Sequence, residues 1–200
     1  MKLIKYITTA ALLTATCFAF SQDKKTEAAF RKTCSEIANA FAKKNIAALN
    51  KYINPEAGVY VVTRPGAIDE FVNQKKIDAK NPFKISYPYK DTASVKKHLV
   101  KYGTAPTFDC GSMKWNKNGF VADSSGKFNR ISEIMNFRTK NEGAKYSKEE
   151  IEKINTAEKI NRKVVFTEIA KNHGLVFYLT FLNGKWYLFL IDTVEGDCGA

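Results

Sequence analysis

Past a polar stretch at residues 22–25, apolar residues recur at three- and four-residue spacing. Phe30, Cys34, Ile37 and Phe41 share one helical face while Lys32, Lys43 and Lys44 lie off it. The pattern predicts an amphipathic helix over Lys24–Ile53, either continuous or broken into a pair at Asn45, and stopped by Asn54-Pro55. Gly58 to Arg64 (GVYVVTR) is rich in β-branched residues and closed by Pro65-Gly66, so it reads as a strand.

The middle of the chain carries weaker periodicity. Asn81 to Tyr89 holds Pro82 and Pro88 and reads as an extended loop or edge strand, with Tyr87-Pro88 a candidate cis bond. Asp91 is placed to cap a helix running through Tyr102, with Val95, Leu99 and Tyr102 inward and Gly103 as the stop. Thr107–Trp115 and Gly119–Asp123 read as a hairpin around residues 116–119, and Phe128, Ile131, Ile134 and Met135 as a short helix. Residues 138–163 are the most polar stretch, expected to form an exposed excursion with a short helix capped by Ser147 and Glu150.

The last third alternates most clearly. Lys163–Ala170, Leu175–Leu182 and Lys185–Thr193 are three predicted strands, and Asn183-Gly184 is a two-residue hairpin signal that sets Leu182 opposite Lys185. Carried back without interruption, that register opposes Phe177 to Leu190, Leu179 to Leu188 and Phe181 to Trp186 on one apolar face, expected to receive the N-terminal helix. The other face opposes Val176 to Ile191, Tyr178 to Phe189 and Thr180 to Tyr187. With two phenols and a hydroxyl it is the candidate lining of a ligand cavity: Tyr178, Thr180, Tyr187 and Phe189. The fold class expected is α+β, a long helix or helix pair packed on a curved antiparallel sheet that ends in a three-stranded meander.

The N-terminus changes the picture of where such a domain works. Lys2 and Lys5 precede the apolar run Ile7–Phe20, which is short for a membrane span, and Ala19-Phe20-Ser21 puts small residues at the cleavage positions. Residues 1–21 are therefore expected to be a signal peptide cut before Gln22, which leaves one exported domain over 22–200, periplasmic or secreted. A lipoprotein reading on Cys17 is disfavoured because Thr16, not a small Gly, Ala or Ser, precedes it. No integral membrane span is expected. Export in turn gives meaning to the cysteines left after cleavage, Cys34, Cys110 and Cys198. Cys34 falls on the apolar helical stripe and needs no partner. Cys110 and Cys198 lie in Asp-Cys-Gly contexts outside regular structure, so the expected disulfide is Cys110–Cys198, with Cys34–Cys198 the alternative.

The formal charge of +12 falls to about +10 without the leader. Such a balance invites a nucleic-acid partner, but only five of the 32 basic residues are arginine and the lysines are scattered from Lys24 to Lys185. No nucleic acid is expected, and anionic envelope polymers or lipid headgroups are the remaining anionic partners.

Candidates for chemistry are few. Asp192 is the best acid-base candidate, placed by alternation on the face of Trp186, Leu188 and Leu190, with Tyr178 or Tyr187 as polarising hydroxyls. Glu168 is a weaker candidate of the same kind. His98 and His173 have no cysteine or carboxylate at ligand spacing, so no metal is expected, and no cofactor motif is present. Ser124-Ser125-Gly126 lacks a nucleophile's context, and no Cys-x-x-Cys points to redox chemistry.

Gly184-Lys185-Trp186-Tyr187-Leu188 at the start of the last strand, with the Ile37–Tyr52 helical segment carrying Asn45-Ile46-Ala47-Ala48-Leu49, resembles the NTF2-like (SnoaL-like, cystatin-like α+β) superfamily. The resemblance implies a sheet curled into a cone whose mouth accepts a small hydrophobic ligand, in a superfamily that includes isomerases, dehydratases and polyketide cyclases. A family of small exported bacterial proteins describes the chain equally well. The favoured function is non-catalytic binding of a small apolar or amphipathic ligand, or of an envelope protein. The alternatives are an isomerase- or hydrolase-type enzyme using Asp192 with Tyr178 or Tyr187, and a basic module for anionic envelope polymer.

Overall fold

A computed structural model of the chain describes residues 25–78, 100–123, 125–168, 173–196 and 198. The expected leader, the Asn81–Tyr89 segment with its Tyr87-Pro88 bond, and most of the predicted Asp91–Tyr102 helix lie outside the described residues, as do Ser124 and His98.

Helix α1 spans residues 25–42 and α2 spans Ile46–Asn50. The break falls at Asn45, whose side chain caps α2 by accepting from the Ala48 amide, while Lys44 takes a positive φ of 51° to turn the chain. The helix pair is thus the form adopted. Strands follow at Val59–Thr63 (β1), Glu70–Gln74 (β2), Lys101–Gly103 (β3), Phe108–Asp109 (β4), Lys114–Trp115 (β5) and Gly119–Asp123 (β6). Then come helices α3 (Arg130–Glu142) and α4 (Lys148–Lys159), and the meander β7 (Asn161–Glu168), β8 (His173–Leu182) and β9 (Lys185–Asp192).

Seven strands form one sheet in the order β2-β1-β9-β8-β7-β6-β3, and β4 and β5 form a separate two-stranded hairpin. The class is α+β, but the sheet is mixed rather than wholly antiparallel, because β1 runs parallel to β9 and β3 parallel to β6. Two further sequence expectations are corrected, and one strand was missed. Residues 101–103 are strand, not the end of a helix. Trp115 and Gly119 do not face each other across a hairpin: β5 turns back on β4, and β6 joins the main sheet beside β7. Strand β2 escaped detection because its side chains are half-buried or exposed and show no clean alternation.

The sheet has a core on each face. On one, Phe30, Cys34, Ile37 and Phe41 of α1 are fully buried against β1 and the meander, as the helical stripe predicts. On the other lie α3 and α4. The short helix expected at Ile131, Ile134 and Met135 forms as α3, and α4, from the stretch read as an exposed excursion, joins it in a second covering layer: Ile131, Ile134, Met135, Ile154 and Ala157 pack with Tyr178, Phe189 and Leu190. The polar composition of that stretch misled because each helix buries only a narrow stripe. The Ser147–Glu150 capping box forms as expected at the start of α4. The other end of the pairing is less usual. Glu158 of α4, although 2% exposed, accepts hydrogen bonds from the Ile131 and Ser132 amides and the Ser132 hydroxyl, and so caps α3 where Asn129 does not.

Asn183 and Gly184 both adopt positive φ, 49° and 78°, as a tight hairpin turn with matching twist requires. From that turn the register holds for Leu182 to Leu179 against Lys185 to Leu188, and there it shifts by one. Phe189 is an extra residue in β9, so Tyr178 faces Leu190, Phe177 faces Ile191 and Val176 faces Asp192. This corrects the pairings of Phe177, Tyr178 and Val176. It also exchanges the faces of the last three residues: Ile191 enters the α1 core, while Leu190 and Asp192 turn toward α3 and α4.

The disulfide Cys110–Cys198 joins the β4–β5 turn to the C-terminal tail, with Cα atoms 5.6 Å apart across a sequence separation of 88, and Cys34 is free and buried. Beside it Trp115 lies flat across β8: a Cβ on Gly174 would sit 2.1 Å from its ring. Glycine is required there by close approach.

Truncation of Leu188, fully buried beneath α1, to alanine should cost about 2–5 kcal/mol of unfolding free energy in chemical denaturation. A loss well below 1 kcal/mol would place that face in solvent.

Candidate functional site

The Phe189 bulge decides where the sequence-derived candidates fall. Asp192 lies on the face opposite Trp186 and Leu188, which corrects its expected placement, and its side chain is fully buried at the end of β9. Both of its oxygens are engaged. Oδ2 accepts from Arg130 Nε at 2.7 Å, and Oδ1 accepts from the backbone amides of Val194 and Glu195 at 3.0 and 3.2 Å.

Arg130, the first residue of α3, extends the network. Its other arm donates to Asp69 at 2.7 Å, and Asp69 also accepts from Arg64 at 2.6 Å. The chain Arg64–Asp69–Arg130–Asp192 therefore stitches the end of β1, the approach to β2, the start of α3 and the end of β9. Breaking a buried pair on one side commonly costs about 3–5 kcal/mol, because the partner charge is left in a poorly solvated place. Beside this chain Lys163 of β7 pairs with Glu195. Burial raises the Glu195 pKa above the ordinary range, and the Lys163 charge offsets only part of that.

Tyr178 is brought close to these acids. Burial, followed by the charges of Glu195 and Asp192, drives its phenol pKa far up, so it stays protonated. Tyr187 is not brought there. It pairs with Thr180 five residues before Asp192, roughly 17 Å away at about 3.4 Å per residue. Of the four residues expected to line a cavity, Tyr178, Thr180 and Phe189 are instead buried on the face that the second helical layer covers. Tyr178, Thr180 and Phe189 are at most 4% exposed, Tyr187 is half-buried, and the Thr180 hydroxyl donates to the Ala157 carbonyl at 2.6 Å. Glu168 lies at the end of β7.

At the opposite side of the same layer a cleft of about 480 Å³ opens between α4, the turn before β1, the end of β2 and the β8–β9 turn. Ala57, Ala157 and Leu182 are the apolar residues of its lining, the two alanines largely buried and Leu182 half-buried. Lys75 and Lys153 lie close together in its lining, which also includes Glu149 and Glu152 of α4, Asn54 and Asn183. Lys75 Nζ donates to the Glu56 carbonyl at 2.6 Å. Burial, then the nearby Lys75 ammonium, holds the Lys153 pKa below the ordinary lysine value. Asn54 is a built corner: its side chain accepts from the Glu56 and Ala57 amides, both at 2.9 Å, and Gly58 beyond it has φ +74° and no room for a Cβ against Gln74.

The sequence held no signal for this cleft. Lys75 follows a strand that lacks alternation, Lys153 stands in a helix whose polarity reads as full exposure, and nothing in their spacing links them. Among the described residues no group of three or more histidines, cysteines or carboxylates could hold a metal, and no helix is long and apolar enough to cross a membrane.

Comparison with known proteins leaves this geometry as the guide to function: no family model, no curated protein and no solved structure matches the chain.

The ionic chain has a consequence in acid. Burial alone would raise the Asp69 pKa, but hydrogen bonds and charges from Arg64 and Arg130 outweigh it and hold it below the ordinary value. A depressed folded-state pKa contributes stability that is complete above the unfolded value of about 3.9 and is lost as pH falls through the lower folded value. Asp69→Asn should therefore be less stable than the parent at pH 6, with the gap closing below about pH 4 in urea titrations. A gap that stays constant from pH 6 to pH 2.5 would contradict the ion-pair role.

Proposed function

We propose that this is an exported protein whose folded domain binds a small amphipathic ligand in the α4 cleft without transforming it. Export is supported by the leader pattern of residues 1–21 together with the Cys110–Cys198 bond, since structural disulfides belong to oxidising compartments. Binding is supported by one observation above the others: the lining of the cleft combines the apolar Ala57, Ala157 and Leu182 with the charged Lys75, Lys153, Glu149 and Glu152, a combination that suits a ligand with an apolar body and a polar head. Binding is preferred to acid-base catalysis because the Asp192 carboxylate is already saturated by Arg130 and two backbone amides.

The NTF2-like relationship stands as part of the same proposal. Its support is the order of helix pair, strand and terminal meander on which the resemblance rests. The ligand site argued for here is at the helix-covered edge rather than inside a cone formed by Tyr178, Thr180, Tyr187 and Phe189.

Two measurements test the reading. Mass spectrometry of the extracytoplasmic fraction should find an N-terminus at Gln22; intact Met1 recovered from the cytoplasm, or lipid on Cys17, would contradict export. Titration of ¹⁵N-labelled protein with decanoate should shift the amides of Ala57, Thr156 and Asn183 together and saturably. Shifts centred on Tyr178 and Phe189, or spread evenly over the surface, would contradict the cleft as the site.

A further inference from the structure

Two lysine ammoniums placed side by side repel each other, and an anion received between them relieves that repulsion. Lys75 and Lys153 are such a pair. They come from separate elements, the end of β2 and the second turn of α4, and meet in the lining of the cleft. The exposed Lys75 ammonium donates to the Glu56 carbonyl at 2.6 Å. Among the described residues neither lysine forms an ion pair with a carboxylate within 4 Å, although the charges of Glu149 and Glu150 act on Lys153 from a greater distance and Glu149 and Glu152 line the cleft.

Resting on the reading of the cleft as a ligand site, we infer that Lys75 and Lys153 form an anion pole that takes the carboxylate or phosphate head of the ligand. A head with two or three acceptor oxygens accepts from both ammoniums at once and cancels their mutual repulsion. The apolar body then lies over Ala57, Ala157 and Leu182. The lowered pKa of Lys153, caused by burial and then by Lys75, is the state expected of such a pole before its counter-charge arrives. Glu149 and Glu152 on the α4 wall give direction to the site: they disfavour an anion lying along the helix and leave the lysine end as the one place for it.

The test uses the full mature protein at constant ionic strength, with amide shifts at Ala57, Thr156 and Asn183 as the readout. The probes are decanoate, decyl phosphate, inorganic phosphate and, as a neutral amphiphile, octyl glucoside below its micelle concentration. Decanoate and decyl phosphate should bind at least about ten-fold more tightly than octyl glucoside. The double variant Lys75→Gln/Lys153→Gln should lose that advantage while its affinity for octyl glucoside is unchanged, and Lys75→Arg/Lys153→Arg should retain it. Inorganic phosphate binding as tightly as decyl phosphate would assign the pole to a free anion, whereas phosphate binding far more weakly would assign it to a lipid-like head; either supports the pole. Equal affinity for charged and neutral amphiphiles, or glutamine variants that bind decanoate like the parent, would overturn the anion pole and leave the cleft reading standing. Failure of every amphiphile to shift the cleft amides would overturn both.

Discussion

The extra residue at Phe189 is the constraint on which the arrangement depends. Strand β9 has two different neighbours along one edge: Leu190 to Asp192 pair with β1, whereas the Leu188 amide donates to the Tyr52 carbonyl at the end of the helix pair. The bulge lies at that junction and turns the second half of the strand over relative to the first. A straight strand would have put Leu190 and Asp192 against α1. With the bulge, Ile191 closes the α1 core and Asp192 faces the start of α3, where Arg130 meets it.

That meeting organises the second layer. Helices α3 and α4 offer few apolar side chains, so charges placed at the right ends contribute to holding them. Arg130 ties α3 to Asp192 and Asp69, and Glu158 of α4 satisfies the first amides of α3. The helices are thus fixed at the Arg130 and Glu158 ends. Glu149, Glu152, Lys153, Thr156 and Ala157 of α4 line the cleft together with Lys75, just past β2. Its position follows from the same packing that buries the residues first expected to bind a ligand.

What the sequence disclosed follows the strength of local signals. The stripe Phe30–Cys34–Ile37–Phe41, the Asn183-Gly184 turn and the Ser147–Glu150 cap each reside in a few neighbouring residues, and each is legible. The Cys110–Cys198 pairing was legible because Cys34 belonged to the helical stripe. The bulge was not, since Leu188 to Ile191 is apolar throughout and alternation offers no mark for a skipped residue. From that one gap came the wrong face for Asp192. Strand β2 and the lysine pair were hidden for another reason: they are defined by contacts far apart in sequence, between half-exposed side chains that no periodicity singles out.

Cross-strand proximity across the meander tests the central claim most directly. In NOE spectra of isotopically labelled protein, backbone contacts should join Leu179 with Leu188, and then Tyr178 with Leu190 and Val176 with Asp192. Contacts joining Tyr178 with Phe189 and Val176 with Ile191 would mean an uninterrupted register, with Asp192 on the α1 face, and would contradict the account.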